Sequence, residues 1–124
     1  KLDYICHTRF ENKMQIEQLF ITNIKGLKSV GEYGGAGWIP FGVPFICESK
    51  EQKQKLVSYL EKNGIQTRNY FAGNLLMHNG YKHLDDYKKF SNANKTLDSV
   101  FFVGCAPSYN DKVLSYFDEV IRKW

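Results

Sequence analysis

Two short segments made almost entirely of apolar residues, 38–47 and 100–105, constrain the fold more than any other feature of the sequence. Neither approaches the roughly 20 apolar residues that a membrane-spanning helix needs. Their length is typical of β-strands inside a protein core. Pro40 and Pro44 favour an edge strand or a bulged strand for the first segment, because proline cannot donate to a β-ladder. The two segments therefore predict a small buried sheet.

Four segments with the apolar spacing of amphipathic helices alternate with the strands. Their expected ranges are 2–22, 50–63, 85–98 and a last helix that starts at Ser108 or Asn110. Ser49 is a suitable N-cap for the second helix, and Gly64 is a suitable residue to end it. A third strand, 65–70, follows that glycine. The order α-β-α-β-α-β-α predicts an α/β fold, a small two-layer sandwich with helices on one face of a roughly three-stranded sheet.

The length of 124 residues predicts one domain, 1–124. The chain opens directly in a helical pattern without an initiator methionine, and we expect it to be a piece of a longer protein in which 1–24 is a linking helix. Arg9, Glu11, Lys13 and Glu17 are expected to face water. In the third helix, Tyr87, Phe90 and Leu97 are expected to face the core.

Composition disfavours several classes of function. The net charge of +4 is spread along the chain rather than clustered, which argues against a nucleic-acid surface. The glycine cluster 31–37 precedes a strand, whereas a P-loop or a dinucleotide fingerprint needs a following helix, so a connecting loop is expected. Three widely spaced cysteines and three separated histidines offer no metal-ligand pattern. The cysteines, odd in number and without a CxxC pair, indicate a reducing, cytoplasmic compartment.

The segment Gly64–Leu75 combines Arg68, Phe71 and Asn74 at the exit of a predicted strand, where scaffolds commonly present binding groups. A guanidinium there can bind a phosphate or carboxylate through two hydrogen bonds. Each residue also has an ordinary interpretation: a surface arginine paired with a carboxylate, an asparagine that shapes a turn, and a phenylalanine in the core or an interface.

The run GIQTRNYFAGNL at Gly64–Leu75 resembles the GI-x-T-R-x-x-FAGNL run of the DegT/DnrJ/EryC1 family of sugar-nucleotide aminotransferases. The resemblance is strongest to its 3-dehydratase branch, the CDP-4-keto-6-deoxy-D-glucose-3-dehydratases of lipopolysaccharide biosynthesis. GWIPFGVPF and VFFVGCAPSYNDKVLSYFDEVI are similar to further strands and the closing helix of these proteins. The resemblance implies the small C-terminal domain of a fold type I enzyme that uses pyridoxal or pyridoxamine phosphate (PLP or PMP).

In that family the cofactor lies mainly in the large N-terminal domain, so the resemblance implies no catalytic residue, no metal site and no bound cofactor on this piece alone. It implies that Arg68, Phe71 and Asn74 bind a sugar nucleotide together with the large domain of a homodimeric parent enzyme. The segment Leu76–Asn79 departs from the dehydratase pattern and also lacks a histidine that the aminotransferases have near position 76. We expect His78 to replace part of a lost polar contact. Dehydration, transamination and a free-standing binding module all stay open at this point.

Overall fold

A computed structural model describes residues 1–31 and 39–124 of the chain. Its elements are α1 (Leu2–Asn23), β1 (Lys28–Ser29), β2 (Gly42–Ile46), α2 (Lys50–Lys62), β3 (Thr67–Asn69), α3 (Ser91–Ser99), β4 (Val100–Gly104) and α4 (Asp111–Arg122). Short 3₁₀ turns lie at Leu75–Met77 and Tyr87–Lys89. The expected glycine loop, from position 32 onward, and the first residue of the segment 38–47 lie outside the described residues.

The described strands form one antiparallel sheet in the order β1-β2-β4-β3. It has four strands where three were predicted, because the two residues of β1 are too few to show a periodic pattern. β1 pairs with Ile46 and Phe45 of β2, so Pro44 lies just beyond the end of that ladder. The missing N–H of Pro44 therefore does not interrupt the pairing with β1. The expected edge strand was wrong, because β2 lies between β1 and β4.

Helices α1, α2 and α4 pack on one face of the sheet, as predicted. Phe20 of α1 stacks on Phe45 of β2 with ring centroids 4.5 Å apart, and Phe45 contacts Phe101 of β4 at 5.8 Å. All three rings are fully buried. The core also includes Leu56 and Leu60 of α2 and Phe117, Val120 and Ile121 of α4. Burial of this apolar surface is the main contribution to the stability of the fold.

The caps of two helices lie where the sequence predicts them. The Ser49 side chain accepts a hydrogen bond from the Gln52 N–H at the start of α2, and Asn110 accepts one from the Val113 N–H at the start of α4. Gly64 follows α2 with a φ of +72°, a conformation that favours glycine. These are local signals, because a cap needs only residues within one helical turn.

The predicted orientation of Lys13 was wrong. Its side chain is only 4% exposed, and its ammonium forms an ion pair with Glu17 at 2.6 Å. The neighbouring Asn12 is also buried and donates to the Ala106 carbonyl oxygen at 2.8 Å. α1 therefore turns polar side chains toward the segment after β4, and the ion pair and hydrogen bond compensate for their burial.

The predicted start of the third helix was also wrong. α3 begins at Ser91 rather than at residue 85. The Asp86 side chain accepts a hydrogen bond from the Lys88 N–H and caps a separate 3₁₀ turn. Short polar side chains compete with helix formation by such local bonds. Tyr87 and Phe90 consequently lie exposed instead of facing the core.

The cysteines behave as small apolar residues. Cys47 and Cys105 are buried, and Cys6 is partly buried; all three are free. Burial raises the pKa of the Cys47 thiol and that of the Cys105 thiol to about 11 each. Both thiols are therefore protonated near neutral pH and poor nucleophiles.

Candidate functional site

All four residues singled out from the sequence line one cavity of about 440 Å³ at the exit of β3. We call it the site cavity. It is lined by Arg68, Asn69, Tyr70, Phe71, Ala72, Asn74, Met77, His78 and Leu97. Its walls come from the end of β3, the turn that follows, the first 3₁₀ turn and α3. The lining combines one cation, aromatic rings, amides and an imidazole, groups suited to a polar ligand with a flat or sugar-like part.

Arg68 is the cation of the site cavity. In the register of the sheet it lies opposite Phe102, which in turn lies opposite Pro44, and this row faces away from the helices. The side chain is exposed, and its Nη1 donates to the Thr67 carbonyl oxygen at 2.8 Å. Across residues 1–31 and 39–124, none of the ion pairs includes Arg68. The guanidinium thus keeps donors for an anionic ligand, and the surface ion pair considered from the sequence is not seen there.

Phe71 separates the site cavity from an apolar groove. Its side chain is 71% exposed, and its ring lies 6.2 Å from the Phe41 ring and 5.5 Å from the Phe102 ring. The groove, of about 340 Å³, is lined by Ile39, Pro40, Phe41, Gly42, Pro44, Tyr70, Phe71 and Phe102. An exposed aromatic ring held by two others presents a pre-organised face to a ligand or a partner.

Asn74 shapes the cavity from within the protein. It is 3% exposed, and its Oδ1 accepts from the Leu76 N–H at 3.0 Å. Its Nδ2 donates to the Tyr87 carbonyl oxygen at 3.0 Å and to Asn94 Oδ1 at 2.7 Å. The amide therefore joins the turn after β3 to the second 3₁₀ turn and to α3. Direct contact with a ligand stays a prediction for this residue.

Gly73 brings the turn and α3 into close contact. Its φ is +67°, and a Cβ at this position would lie 2.6 Å from Leu97 Cδ1. Any larger residue would meet both a strained backbone and a side chain in the wall of the site cavity. The glycine of the FAGNL run is therefore required by geometry rather than by contact with a ligand.

His78 lines the site cavity next to the turn after β3. Its side chain is exposed, and its Nε2 lies 3.2 Å from the Ala72 carbonyl oxygen. This contact leaves the other ring nitrogen available to a ligand. The position is compatible with the polar contact that the sequence predicts, which stays a prediction.

Glu61 of α2 anchors the start of β3 and so supports Arg68. Its Oε1 accepts from the Thr67 N–H at 2.6 Å and from the Thr67 hydroxyl at 2.7 Å. These hydrogen bonds, first from the hydroxyl and then from the backbone, hold the pKa of Glu61 below its usual range. Ionised Glu61 therefore stabilises the folded chain more than the unfolded chain.

We expect Glu61→Gln to lower the free energy of unfolding by about 1 kcal/mol at pH 7, less than a buried hydrogen bond to a charged group contributes, because Glu61 is exposed and solvent screens its charge. Because the folded pKa is depressed, this contribution is complete above the unfolded pKa and disappears as pH falls through the folded pKa. Denaturant unfolding at pH 7 and in acid measures it. Thr67→Ser keeps the hydroxyl donor and is the control. If the unfolding free energies of wild type and Glu61→Gln differ by the same amount at both pH values, the stabilisation does not come from ionised Glu61.

Sequence reasoning missed three residues of this region: Asn69, Met77 and the supporting Asn94. Asn69 and Met77 carry no distinctive pattern beyond their closeness to the FAGNL run. Asn94 is 20 positions from Asn74, so only the fold shows that the two amides bond. Leu97 was expected in the core and instead lies partly exposed in the cavity wall.

Two further observations concern groups outside the cavity. Within the part of the chain that the structure describes, no three or more His, Cys, Asp or Glu side chains converge in a way that could hold a metal ion. Every helix among those same residues is too short or too polar to cross a membrane.

The model of the DegT/DnrJ/EryC1/StrS aminotransferase family matches residues 2–122. A dTDP-4-dehydro-2,6-dideoxy-D-glucose 3-dehydratase from Saccharopolyspora spinosa is 27% identical over 90 residues, which are 70% of this chain and 19% of that protein.

The fold matches that of GDP-4-keto-6-deoxy-D-mannose-3-dehydratase from E. coli, solved with bound hydrated PLP, with a TM-score of 0.74, 24% identity and 98% of this chain covered. It also matches the sugar aminotransferase CalS13 from Micromonospora echinospora with a TM-score of 0.77, 13% identity and the whole of this chain covered. This chain spans 32% of the length of each of the two solved proteins. At these identities the structures show a shared fold.

Proposed function

The chain belongs to the DegT/DnrJ/EryC1/StrS aminotransferase family, and on this premise we propose that residues 1–124 are the substrate-covering small domain of a PLP- or PMP-dependent sugar-nucleotide enzyme. The observation that carries the proposal is the position of Arg68. It lines the site cavity together with aromatic, amide and imidazole groups, and it forms no ion pair with the described residues. A nucleoside diphosphate sugar offers the matching chemistry, with two phosphates, several hydroxyl groups and a planar base.

In the proposed complex each side chain of the cavity positions part of the ligand. The guanidinium of Arg68 donates to the diphosphate, a group whose oxygens match its planar fork. Tyr70 and Phe71 pack against a flat or apolar part of the ligand. The free ring nitrogen of His78 reaches a sugar hydroxyl or keto oxygen. These contacts orient the sugar, and orientation alone contributes several kcal/mol to catalysis in typical enzymes.

The residues of the site cavity do not make a complete PLP site. PLP needs a carboxylate beside its pyridine nitrogen and, in aminotransferases, a lysine for its aldehyde. Among the described residues that line the cavity there is neither a lysine nor a carboxylate. PLP serves as an electron sink for carbanions when bound, and we assign that chemistry to a large domain of the parent enzyme. No chemical step is assigned to this chain.

We favour a 3-dehydratase of deoxysugar and lipopolysaccharide O-antigen biosynthesis as the parent enzyme. The run TRNYFAGNL supports this choice, and two of the matched relatives are described as sugar 3-dehydratases. A sugar-nucleotide aminotransferase is the second candidate, supported by the likeness of the fold to CalS13. In either case α1, with the residues to position 24, links the two domains, the parent enzyme is a homodimer, and it works in the cytoplasm.

Photoaffinity labelling of the full-length enzyme tests the location of the site. A dTDP, GDP or CDP sugar with a photoreactive group on the sugar is expected to label residues between 68 and 78. Peptide mapping by mass spectrometry gives the position, and an excess of the unlabelled nucleotide sugar is the competition control. Labelling confined to other segments of the chain would overturn the proposal.

The products distinguish the two candidate reactions. With a 4-keto-6-deoxy sugar nucleotide as substrate, a 3-dehydratase forms a 3-deoxy sugar, whereas an aminotransferase transfers nitrogen from an amino-acid donor. Incubation with a ¹⁵N-labelled amino acid, followed by mass spectrometry of the sugar nucleotide, separates them. Incorporation of ¹⁵N into the sugar would favour the second candidate over the first.

A further inference from the structure

The site cavity shares one wall with a second cavity on the helix side of β3. The second cavity, of about 250 Å³, is lined by Lys50, Lys53, Gln54, Val57, Asn69, Leu97 and Asp98. Among the residues that the structure describes, Asn69 and Leu97 alone line both cavities. The partition between the two cavities therefore consists of the end of β3 and the last turn of α3. Its two residues, Asn69 and Leu97, are 28 positions apart in the sequence.

Lys53 of α2 binds both residues of this partition. Its Nζ donates to Asn69 Oδ1 at 2.9 Å and to the Leu97 carbonyl oxygen at 2.6 Å. The side chain is 7% exposed, and burial lowers the pKa of its ammonium group. The acceptor on α3 lies in the last turn, where helix carbonyls are unpaired and the helix dipole favours a cation.

The position of α3 in turn sets the shape of the site cavity. Leu97 presses against Gly73, since a Cβ there would lie 2.6 Å from Leu97 Cδ1. Asn94, one turn earlier in α3, bonds to the buried amide of Asn74 at 2.7 Å. A shift of α3 away from β3 would therefore move one wall of the cavity relative to Arg68.

We propose that Lys53 is a positioning residue, whose ammonium group holds α3 against the end of β3 and thereby sets the width of the cavity that receives the sugar nucleotide. The inference rests on the proposed function, because it concerns the ligand of the same cavity. Lys53 itself does not line the site cavity and acts through Asn69 and Leu97. A methionine of similar length could fill the same space, so burial of a charged group here is not needed for packing alone.

Lys53→Met in the full-length enzyme tests the inference. We expect the Kd of the sugar nucleotide, measured by isothermal titration calorimetry, to rise about tenfold, because a wall displaced by a fraction of an ångström misplaces the ligand. Lys50→Met is the matched control. Lys50 lies on the same helix and bonds to Asp98 of the same α3, but at the surface, so its loss is expected to leave the Kd within about twofold.

A second measurement separates positioning from general stability. Hydrogen–deuterium exchange of the full-length enzyme, measured by mass spectrometry, is expected to show the changes caused by Lys53→Met confined to residues 69–74 and 94–99, and Lys50→Met is expected to leave 69–74 unchanged. If Lys53→Met does not fold, Asn69→Ala is the alternative variant, because Asn69 is exposed and its replacement removes the same contact. It is expected to weaken binding severalfold and to add little to the effect of Lys53→Met in the double variant, because both changes remove the same contact.

The outcomes distinguish the inference from the proposed function. If Arg68→Ala weakens binding while Lys53→Met and Asn69→Ala do not, Lys53 has no positioning role and the proposed function stands. If neither Arg68→Ala nor Lys53→Met changes the Kd, the ligand does not occupy the site cavity and the proposed function is wrong. Equal losses from Lys53→Met and Lys50→Met would also overturn the inference, since both would then report only on the α2–α3 contact.

Discussion

Replacing Arg68 with alanine is expected to weaken sugar-nucleotide binding by the full-length enzyme about 100-fold, without loss of stability. Truncating one partner of a hydrogen-bonded charge pair typically costs a few kcal/mol, and each 1.4 kcal/mol is about tenfold in affinity. The folded chain itself loses little, because Arg68 is exposed and its hydrogen bond goes to the adjacent Thr67 carbonyl. Calorimetric titration and thermal unfolding of the same samples measure the two quantities.

Two variants control for charge and for position. Arg68→Lys keeps the charge but not the planar fork, so it is expected to recover only part of the affinity. Arg122→Ala removes an exposed arginine that pairs with Asp118 on α4, in the helical layer, and is expected to leave the Kd unchanged. Higher salt should weaken binding by wild type more than by Arg68→Ala. Equal Kd values for wild type and Arg68→Ala would exclude Arg68 from the site.

Replacing Asn74 with alanine is expected to lower the free energy of unfolding by about 3 kcal/mol, the largest stability effect predicted in this region. The change leaves the Leu76 N–H and Asn94 Oδ1 without their bonds to the amide, while the Tyr87 carbonyl oxygen keeps only its bond from Asn94 Nδ2. Each buried polar group left unsatisfied costs about 1–3 kcal/mol, and partial access to water reduces the sum. Urea denaturation of the 124-residue chain measures the change.

Asn79→Ala is the control for this prediction, because Asn79 is an exposed amide in the same loop. Its replacement is expected to change stability by no more than about 0.5 kcal/mol. In a double-mutant cycle, Asn74→Ala and Asn94→Ala should be strongly non-additive, since they break one shared bond. If Asn74→Ala keeps full stability and weakens ligand binding instead, the amide serves the ligand and not the loop.

The helices and strands that could be predicted from sequence are those whose signals are local. Ser49 and Asn110 cap α2 and α4 through bonds to residues three positions away, and the continuous apolar runs of β2 and β4 need only neighbouring residues. The start of α3 could not be predicted, because the apolar spacing of Tyr87 and Phe90 continues the helical pattern while Asp86 caps a separate turn. The strand β1, with two residues, carries no pattern of its own.

The side chains of the candidate site divide in the same way. Arg68, Phe71, Asn74 and His78 lie within eleven residues of one another, so a strand and the loop after it necessarily bring them near one place (positions 68–78). Their directions depend on the rest of the chain. Asn74 turns inward because Tyr87 and Asn94 offer partners for its amide, while Phe71 stays outside because Phe41 and Phe102 support its ring.

The sequence by itself determined the order of the helices and of the strands other than β1, the caps of α2 and α4, the family, and the segment 64–75 as the candidate binding segment. Only the tertiary structure decided that Arg68 faces away from the helices and forms no ion pair with the described residues. It also decided that Asn74 bonds within the protein and that Lys53 holds the wall of the site cavity. The physical reason is the range of the interactions. A cap or an apolar repeat acts within a few residues, whereas the cavity wall joins α2, β3 and α3 through hydrogen bonds that span 16 and 44 positions of the chain.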